Sequence, residues 1–335
     1  MRARAVVNLL RLHTAGWEIL VFLSGPLFIR AQTDYLTWVV LAVLAVLVNS
    51  FIFVLNDLAD LPRDQLDPKR ANSPLVSREI APALALAISV ALPICMWVII
   101  SADRWSRAAS VSFALCMLLG TYLDVYQKTS RWLHPIISDA LFAAAMAAPI
   151  IVGIAAVRGH IPTVAWLLAG SFVALCLALN SIGGNLKDID SDVSTGFRTI
   201  AVALGVKMVD QRINFTRAYG TYVCILAFVV GGLLIWTGFE ATSGWKRIIV
   251  VVLVSLLGIG IISNIRSITN GRRQPSPRGR DLYFVWGMVA YIVILAARSD
   301  LVPLAAVLGV VAIWEGAFRL FWNATREVSG VTADG

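Results

Sequence analysis

Apolar residues in this chain gather into long unbroken runs rather than into stripes. Ten runs can be drawn, at roughly 16–30, 36–55, 82–100, 107–122, 135–157, 162–182, 218–239, 247–265, 282–297 and 301–321. A helix needs about 20 apolar residues to cross the hydrocarbon of a bilayer. Helices that are hydrophobic all round are buried on every side, in protein or in lipid. The pattern therefore predicts an all-α, polytopic membrane helical bundle, in one domain over residues 1–335. Its ordered core is expected at about 10–325, followed by a flexible tail from Asn323 to Gly335.

The polar breaks between runs are uneven, and two of them share a design. After the second run comes Asn56-Asp57-Leu58-Ala59-Asp60-Leu61-Pro62-Arg63-Asp64, and after the sixth comes Asn185-Leu186-Lys187-Asp188-Ile189-Asp190-Ser191-Asp192. Asp57, Asp60 and Asp64 match Asn185, Asp188 and Asp192 position for position. Spacings of three and four put these groups on one face of a helix, where like charges repel. A divalent cation gives a reason to keep them together, since magnesium takes oxygen ligands and bridges carboxylates to phosphate. Carboxylates at the mouth of a membrane helix are costly and are functional candidates for that reason.

Composition and charge narrow the class. The chain is 59% hydrophobic and 14% charged, with a net charge of +8. With the N-terminus in the cytoplasm, 21 of the 28 Lys and Arg residues fall on the cytoplasmic side. The excess makes the positive charge a topology signal and an attraction to anionic membrane lipid, not a nucleic-acid footprint. Both termini and both acidic stretches are then expected in the cytoplasm of a multi-pass cell-membrane protein. Cys95, Cys116, Cys176 and Cys224 sit inside apolar runs without pairing or metal spacing, and His13, His134 and His160 are scattered. They read as core or surface residues rather than a zinc site.

Two acidic clusters facing one another across a helical bundle would suit a diphosphate, whose charge magnesium neutralises as it leaves. Lys69 and Arg70 follow the first cluster, Lys187 and Arg198 flank the second, and Lys128 and Arg131 lie in the loop between. Such cations are the expected clamps on phosphoryl oxygens. The rest of the ligand must be apolar, which points to an isoprenyl diphosphate. Ionising its allylic C–O bond gives a carbocation that an aromatic face stabilises; Tyr122, Tyr126, Trp132, Phe142 and Phe172 lie near the appropriate ends of their runs. Tyr122 and Tyr126 also fit an interfacial aromatic belt, and Asp139 either lines the cavity or sits at the interface. Helix-compatible segments at Ser77–Ala85 and Thr199–Lys207 could cap the cytoplasmic mouth.

The motif Asn56-Asp57-x-x-Asp60-x-x-x-Asp64 resembles the first signature of the UbiA superfamily of intramembrane prenyltransferases, and Asp188-x-x-x-Asp192 resembles the second. Gly196-Phe197-Arg198-Thr199-Ile200-Ala201 is similar to the run that trails it, and Tyr122 and Lys128 resemble a Tyr/Lys pair after the fourth helix. The resemblance implies about nine membrane helices around a central, lipid-open cavity; with the tenth run counted, nine to ten are expected. It implies Asp57, Asp60, Asp64, Asp188 and Asp192 as catalytic carboxylates holding Mg2+ and diphosphate, with Asn56 beside them and Lys128 and Arg198 on the phosphates. Asn185, Lys187, Arg70, Tyr122 and Asp139 complete the expected substrate-binding set. The chain departs from the pattern at Ser73, where members often carry Arg, and Arg70 or Arg78 could substitute. Arg11-Leu12-His13 resembles the approach to the first helix without its usual proline.

The expected activity is transfer of an isoprenyl group to an aromatic acceptor of hydroxybenzoate or hydroxynaphthoate type. Asn49, Ser50, Asp139, Asn180 and Ser181 are the polar groups that could orient such an acceptor. A terpene cyclase on the same helices, or a carrier of a phosphorylated lipid, are the alternatives; a carrier has no need of two metal clusters.

Overall fold

The computed structural model describes residues 3–66, 70–127, 134–187, 189, 192–193, 196, 198–209, 212–269, 288–289 and 291–328. Ten principal helices are labelled in chain order: α1 (Ala3–Leu9), α2 (Ala15–Phe28), α3 (Tyr35–Asp64), α4 (Pro82–Ala102), α5 (Arg107–Tyr122), α6 (Pro135–Arg158), α7 (Thr163–Leu179), α8 (Arg217–Ala241), α9 (Trp245–Thr269) and α10 (Leu301–Val328). Among the described residues, six helices are long and apolar enough to cross a membrane, and α1 with Leu12–Phe28 makes a seventh span bent by 50°. α7 is apolar but shorter. Two compact units form.

The first unit holds residues 1–126, 149–160 and 301–335. α2 is buried along almost its whole length, including Phe22 and Phe28. Small residues let it approach the C-terminal part of α6 very closely: a Cβ on Gly25 would lie 2.4 Å from the Ile150 carbonyl oxygen, and one on Gly153 would lie 2.2 Å from that of Phe22. Close backbone approach through small residues is how helices pack where no hydrophobic drive separates protein from lipid. α3 starts at Asp34, whose carboxylate accepts from the Thr37 N–H at 2.7 Å. Hydrogen bonds from Thr37 hold the Asp34 carboxyl below the ordinary carboxylate range, as an N-cap acceptor should be.

Several elements differ from the sequence expectation, for local reasons. α1 was not anticipated as a helix; it is only seven residues, too short to register as a run. Its Ala5 and Leu9 nonetheless pack with Val54, Leu75, Ile80 and Ala85 into one apolar cluster. Ser77–Ala81 is not helical: α4 begins at Pro82, which sits at N1 after an extended Ala81, as proline demands of its predecessor. α10 continues to Val328, beyond the expected start of the tail at Asn323.

The second unit holds residues 127–148 and 161–300. α7 and α8 are joined by a buried hydroxyl pair, Ser171 to Thr237 at 2.6 Å, and the Ser171 hydroxyl is also 3.2 Å from the Leu233 carbonyl oxygen. Phe172 of α7 packs on Tyr291 with ring centroids 4.9 Å apart. Between the seventh and eighth helices, Ile200–Ala203 forms one helical turn. The expected helix to Lys207 is replaced there by a two-stranded hairpin, Lys207–Val209 against Arg212–Asn214, with Met208 opposite Ile213.

Candidate active site

The first acidic stretch is the C-terminal end of one unbroken helix. α3 runs 30 residues through Asp64, so Asp57, Asp60 and Asp64 follow one another along one face by the i, i+3, i+7 rule. All three are half-buried, as is Asn56. The adjoining face of the same turns carries Leu58 and Leu61, which pack against the α1 cluster, while Ala59 and Pro62 on the far side from the carboxylates are exposed. The helix is thus fixed by apolar burial on the flank next to its carboxylates.

Asp57 is already engaged. Its Oδ1 accepts from a guanidinium nitrogen of Arg11 at 2.7 Å, and that guanidinium lies 4.4 Å over the Phe53 ring. Arg11 was noted in the sequence only for its resemblance to a family motif. Its role was not legible, because 46 residues separate the partners. Tyr122 is half-buried at the end of α5 and leads into a π-helical turn, Leu123–Gln127. Arg70 is exposed in the loop after the first stretch.

The second stretch is built differently and belongs to the second unit. α7 passes into a π-helical turn at Asn180–Gly184, a distortion that recurs at functional sites. Gly184 leaves room for the Asn180 side chain: a Cβ there would stand 2.6 Å from Asn180 Oδ1. The helical turn Asn185–Lys187 follows. Asn185 donates from Nδ2 to Asp139 Oδ2 at 2.9 Å, and both side chains are buried. Asp192 is buried as well. Tyr219 and Tyr222 of α8 secure the π turn, Tyr219 by donating to the Ser181 carbonyl and Tyr222 by pairing with the Ser181 hydroxyl at 3.0 Å. These two tyrosines were missed in the sequence, where nothing separates them from core residues.

Arg198 is exposed, and the Thr199 hydroxyl beside it is buried with no hydrogen-bond partner among the described residues. Asp188, Lys128, Lys69 and Arg131, and the side chain of Lys187, lie outside the described residues. Among the described residues no three acidic, histidine or cysteine side chains converge as a metal-binding group.

Comparison with known proteins places the arrangement. Residues 19–286 match the UbiA prenyltransferase family. A 4-hydroxybenzoate octaprenyltransferase of Acidovorax ebreus (strain TPSY) is 27% identical over 234 residues, covering 69% of this chain and 74% of its own. One from Paraburkholderia phytofirmans (strain DSM 17436 / LMG 22146 / PsJN) is 28% identical over 218 residues, covering 64% and 73%. A UbiA homolog from Archaeoglobus fulgidus, solved bound to DMAPP and Mg2+, shares the fold with a TM-score of 0.63 at 15% identity, over 87% of this chain and 98% of its own. A UbiA homolog from Aeropyrum pernix K1 does so at 0.59 and 16%, over 92% and 98%. With its apolar helices and its two acidic stretches, the chain belongs to the UbiA prenyltransferase family and is an integral membrane prenyltransferase.

Proposed function

We propose that this enzyme transfers an isoprenyl group from an isoprenyl diphosphate to an aromatic acceptor of hydroxybenzoate type, with Mg2+ as cofactor. The observation that carries the proposal is the single face of α3 bearing Asp57, Asp60 and Asp64, with the adjoining face anchored by apolar packing. The activity for which the relatives are named supports the acceptor class, and the ligands of the solved homologs support the donor and the metal.

The donor chemistry fits magnesium, because Asp57, Asp60, Asp64, Asp188 and Asp192 offer only hard oxygen ligands. Magnesium held by the carboxylates of either stretch would supply positive charge that stabilises a departing diphosphate. Arg70, Lys128, Lys187 and Arg198 hold the phosphate oxygens. The unsatisfied Thr199 hydroxyl is a further donor beside Arg198. Asn56 sits beside the first carboxylates, and the Asn185–Asp139 pair fixes the start of the second stretch. Tyr122 offers its ring to the allylic cation. The allylic C–O bond breaks, diphosphate leaves with its electron pair, an aromatic carbon of the acceptor bonds to the cation, and the ring loses a proton. The excess of basic residues supports a cytoplasmic side for both termini and both acidic stretches.

The test is direct. Membranes containing the enzyme are incubated with geranyl, farnesyl or geranylgeranyl diphosphate, magnesium and a panel of phenolic acids, and products are read by mass. A prenylated phenolic acid is expected. A product carrying only the prenyl carbons, formed without any acceptor, would replace this reading with a cyclase.

A further inference from the structure

The bend between α1 and α2 is a rigid elbow. Arg11 sits at its apex with φ 45° and ψ 43°, in the left-handed region, which an L-residue with a side chain adopts only at a cost. Such a conformation persists when the surroundings over-determine it, and here they do. Asn49 Nδ2 donates to the Leu10 and Arg11 carbonyls at 3.4 and 3.2 Å. The Thr14 hydroxyl lies 3.1 Å from Asn49 Oδ1 and 2.8 Å from the Arg11 carbonyl. From α10, Trp314 Nε1 donates to the Leu12 carbonyl at 2.6 Å. Arg11 and Trp314 both lie outside the residues that match the family.

The elbow holds the backbone without help from the guanidinium. What the guanidinium does is separate: it stands over Phe53 and takes an oxygen of Asp57, one turn further along α3. That oxygen belongs to a face carrying three carboxylates, so Arg11 neutralises the same charge a divalent cation would neutralise. The two side chains are 26% and 16% exposed, desolvated enough for the contact to matter and accessible enough to be exchanged.

We propose that Arg11 competes with divalent metal for Asp57, so that the elbow weakens binding of metal alone to the first acidic stretch. A metal arriving with diphosphate brings negative oxygens to which the displaced guanidinium can turn. The enzyme then favours the metal–diphosphate complex over free metal. This inference rests on the magnesium reading of the acidic stretches.

The competing role, in which Arg11 merely orients Asp57, has the opposite sign. Full-length protein in nanodiscs is titrated calorimetrically with Mg2+ alone, and thermal unfolding is followed with and without Mg2+. R11Q is expected to bind Mg2+ roughly three- to tenfold more tightly than the parent, a range set by a partly exposed ion pair. Its unfolding temperature should rise more on adding Mg2+. R11K, which keeps the charge, should lie nearer the parent, and D57N should abolish the difference between R11Q and the parent. Equal or weaker Mg2+ binding by R11Q overturns the competition and leaves Arg11 a brace. If parent and D60N bind Mg2+ alike, the magnesium reading itself fails and the inference falls with it. W314F reports on the elbow alone: lowered stability with parental Mg2+ affinity is expected, and a change in affinity like that of R11Q would mean backbone displacement, not charge, governs the metal.

Discussion

The two acidic stretches share a spacing and differ in what holds them. The first is the end of a continuous 30-residue helix, half-buried, clamped along one flank by α1 and engaged by an arginine from the elbow. The second follows a π turn, is secured by two tyrosines, and begins with a fully buried amide–carboxylate pair. One places its oxygens by apolar burial on the adjoining helix face, the other by buried hydrogen bonds. Identical spacing in sequence predicts equivalent chemistry but says nothing of the support, and the two supports should fail differently.

The largest expected effect comes from the carboxylates themselves, where the stretches should behave alike. Asp60→Asn and Asp192→Asn should each lower turnover roughly a thousandfold, the scale of losing one preorganised charge at a transition state. EDTA should abolish activity and magnesium should restore it. Full turnover in either variant would remove that stretch from the metal site and break the equivalence.

The basic residues beyond each stretch come next. Arg70 follows the first and Arg198 the second, both exposed. Arg70 stands near Ser73, where an arginine is usual in the resemblance, and Arg78 of the same loop adopts φ 58°. A charge-assisted contact to phosphate contributes about 1.5–3 kcal/mol. Arg70→Ala and Arg198→Ala should each lower kcat/KM for the isoprenyl diphosphate about ten- to a hundredfold, with acceptor KM unchanged. Kinetics with each substrate varied separately decide this. Parental behaviour of Arg70→Ala beside a defective Arg78→Ala would move the clamp to Arg78.

The supports part company in stability. Asn185→Leu leaves the buried Asp139 carboxylate without its donor and should cost about 1–3 kcal/mol. The exchange Asn185→Asp with Asp139→Asn keeps one donor and one acceptor and should recover most of it. Asp57→Asn breaks a partly exposed ion pair but keeps an amide oxygen to accept from Arg11, and should cost about 1 kcal/mol or less. Thermal unfolding in detergent ranks the three. Equal losses for Asn185→Leu and Asp57→Asn would erase the distinction drawn between the two regions.

Much of this was legible in the sequence, and the remainder has identifiable causes. Apolar runs such as 36–55, 82–100 and 218–239 fall on α3, α4 and α8 because a membrane helix needs little more than uninterrupted hydrophobicity. The spacing of Asp57, Asp60 and Asp64 showed its helical face because the helix simply continues through it. α1 escaped notice since seven residues give a run too little length, and the Lys207–Asn214 hairpin because three-residue strands give alternation too little room. Arg11 meeting Asp57, and Trp314 meeting Leu12 across 302 positions, are tertiary facts without a local signal. The π turn left only a trace, the pair Gly183-Gly184.

That trace supports the smallest prediction. A Cβ at Gly184 would meet Asn180 Oδ1 at 2.6 Å, and the Asn180 amide must turn away from it, at no more than the roughly 0.5–1.5 kcal/mol of an off-rotamer side chain. Alanine in place of glycine within a helical segment returns about 0.5–1 kcal/mol through reduced chain entropy. Gly184→Ala should therefore leave the unfolding temperature nearly unchanged. The Asn180 side chain, however, must move one turn before Asn185, and the stretch it precedes should be slightly displaced. A two- to tenfold loss in kcat/KM at constant stability is expected, by the usual conversion of that strain. The corresponding change on the first stretch, Ala59→Gly in the exposed face of an unbroken helix, should do the reverse: lower stability by about 1 kcal/mol and leave kcat/KM nearly intact. If Gly184→Ala retains full kcat/KM, the π turn does not position the second stretch, and the buried Asn185–Asp139 pair is its sole anchor.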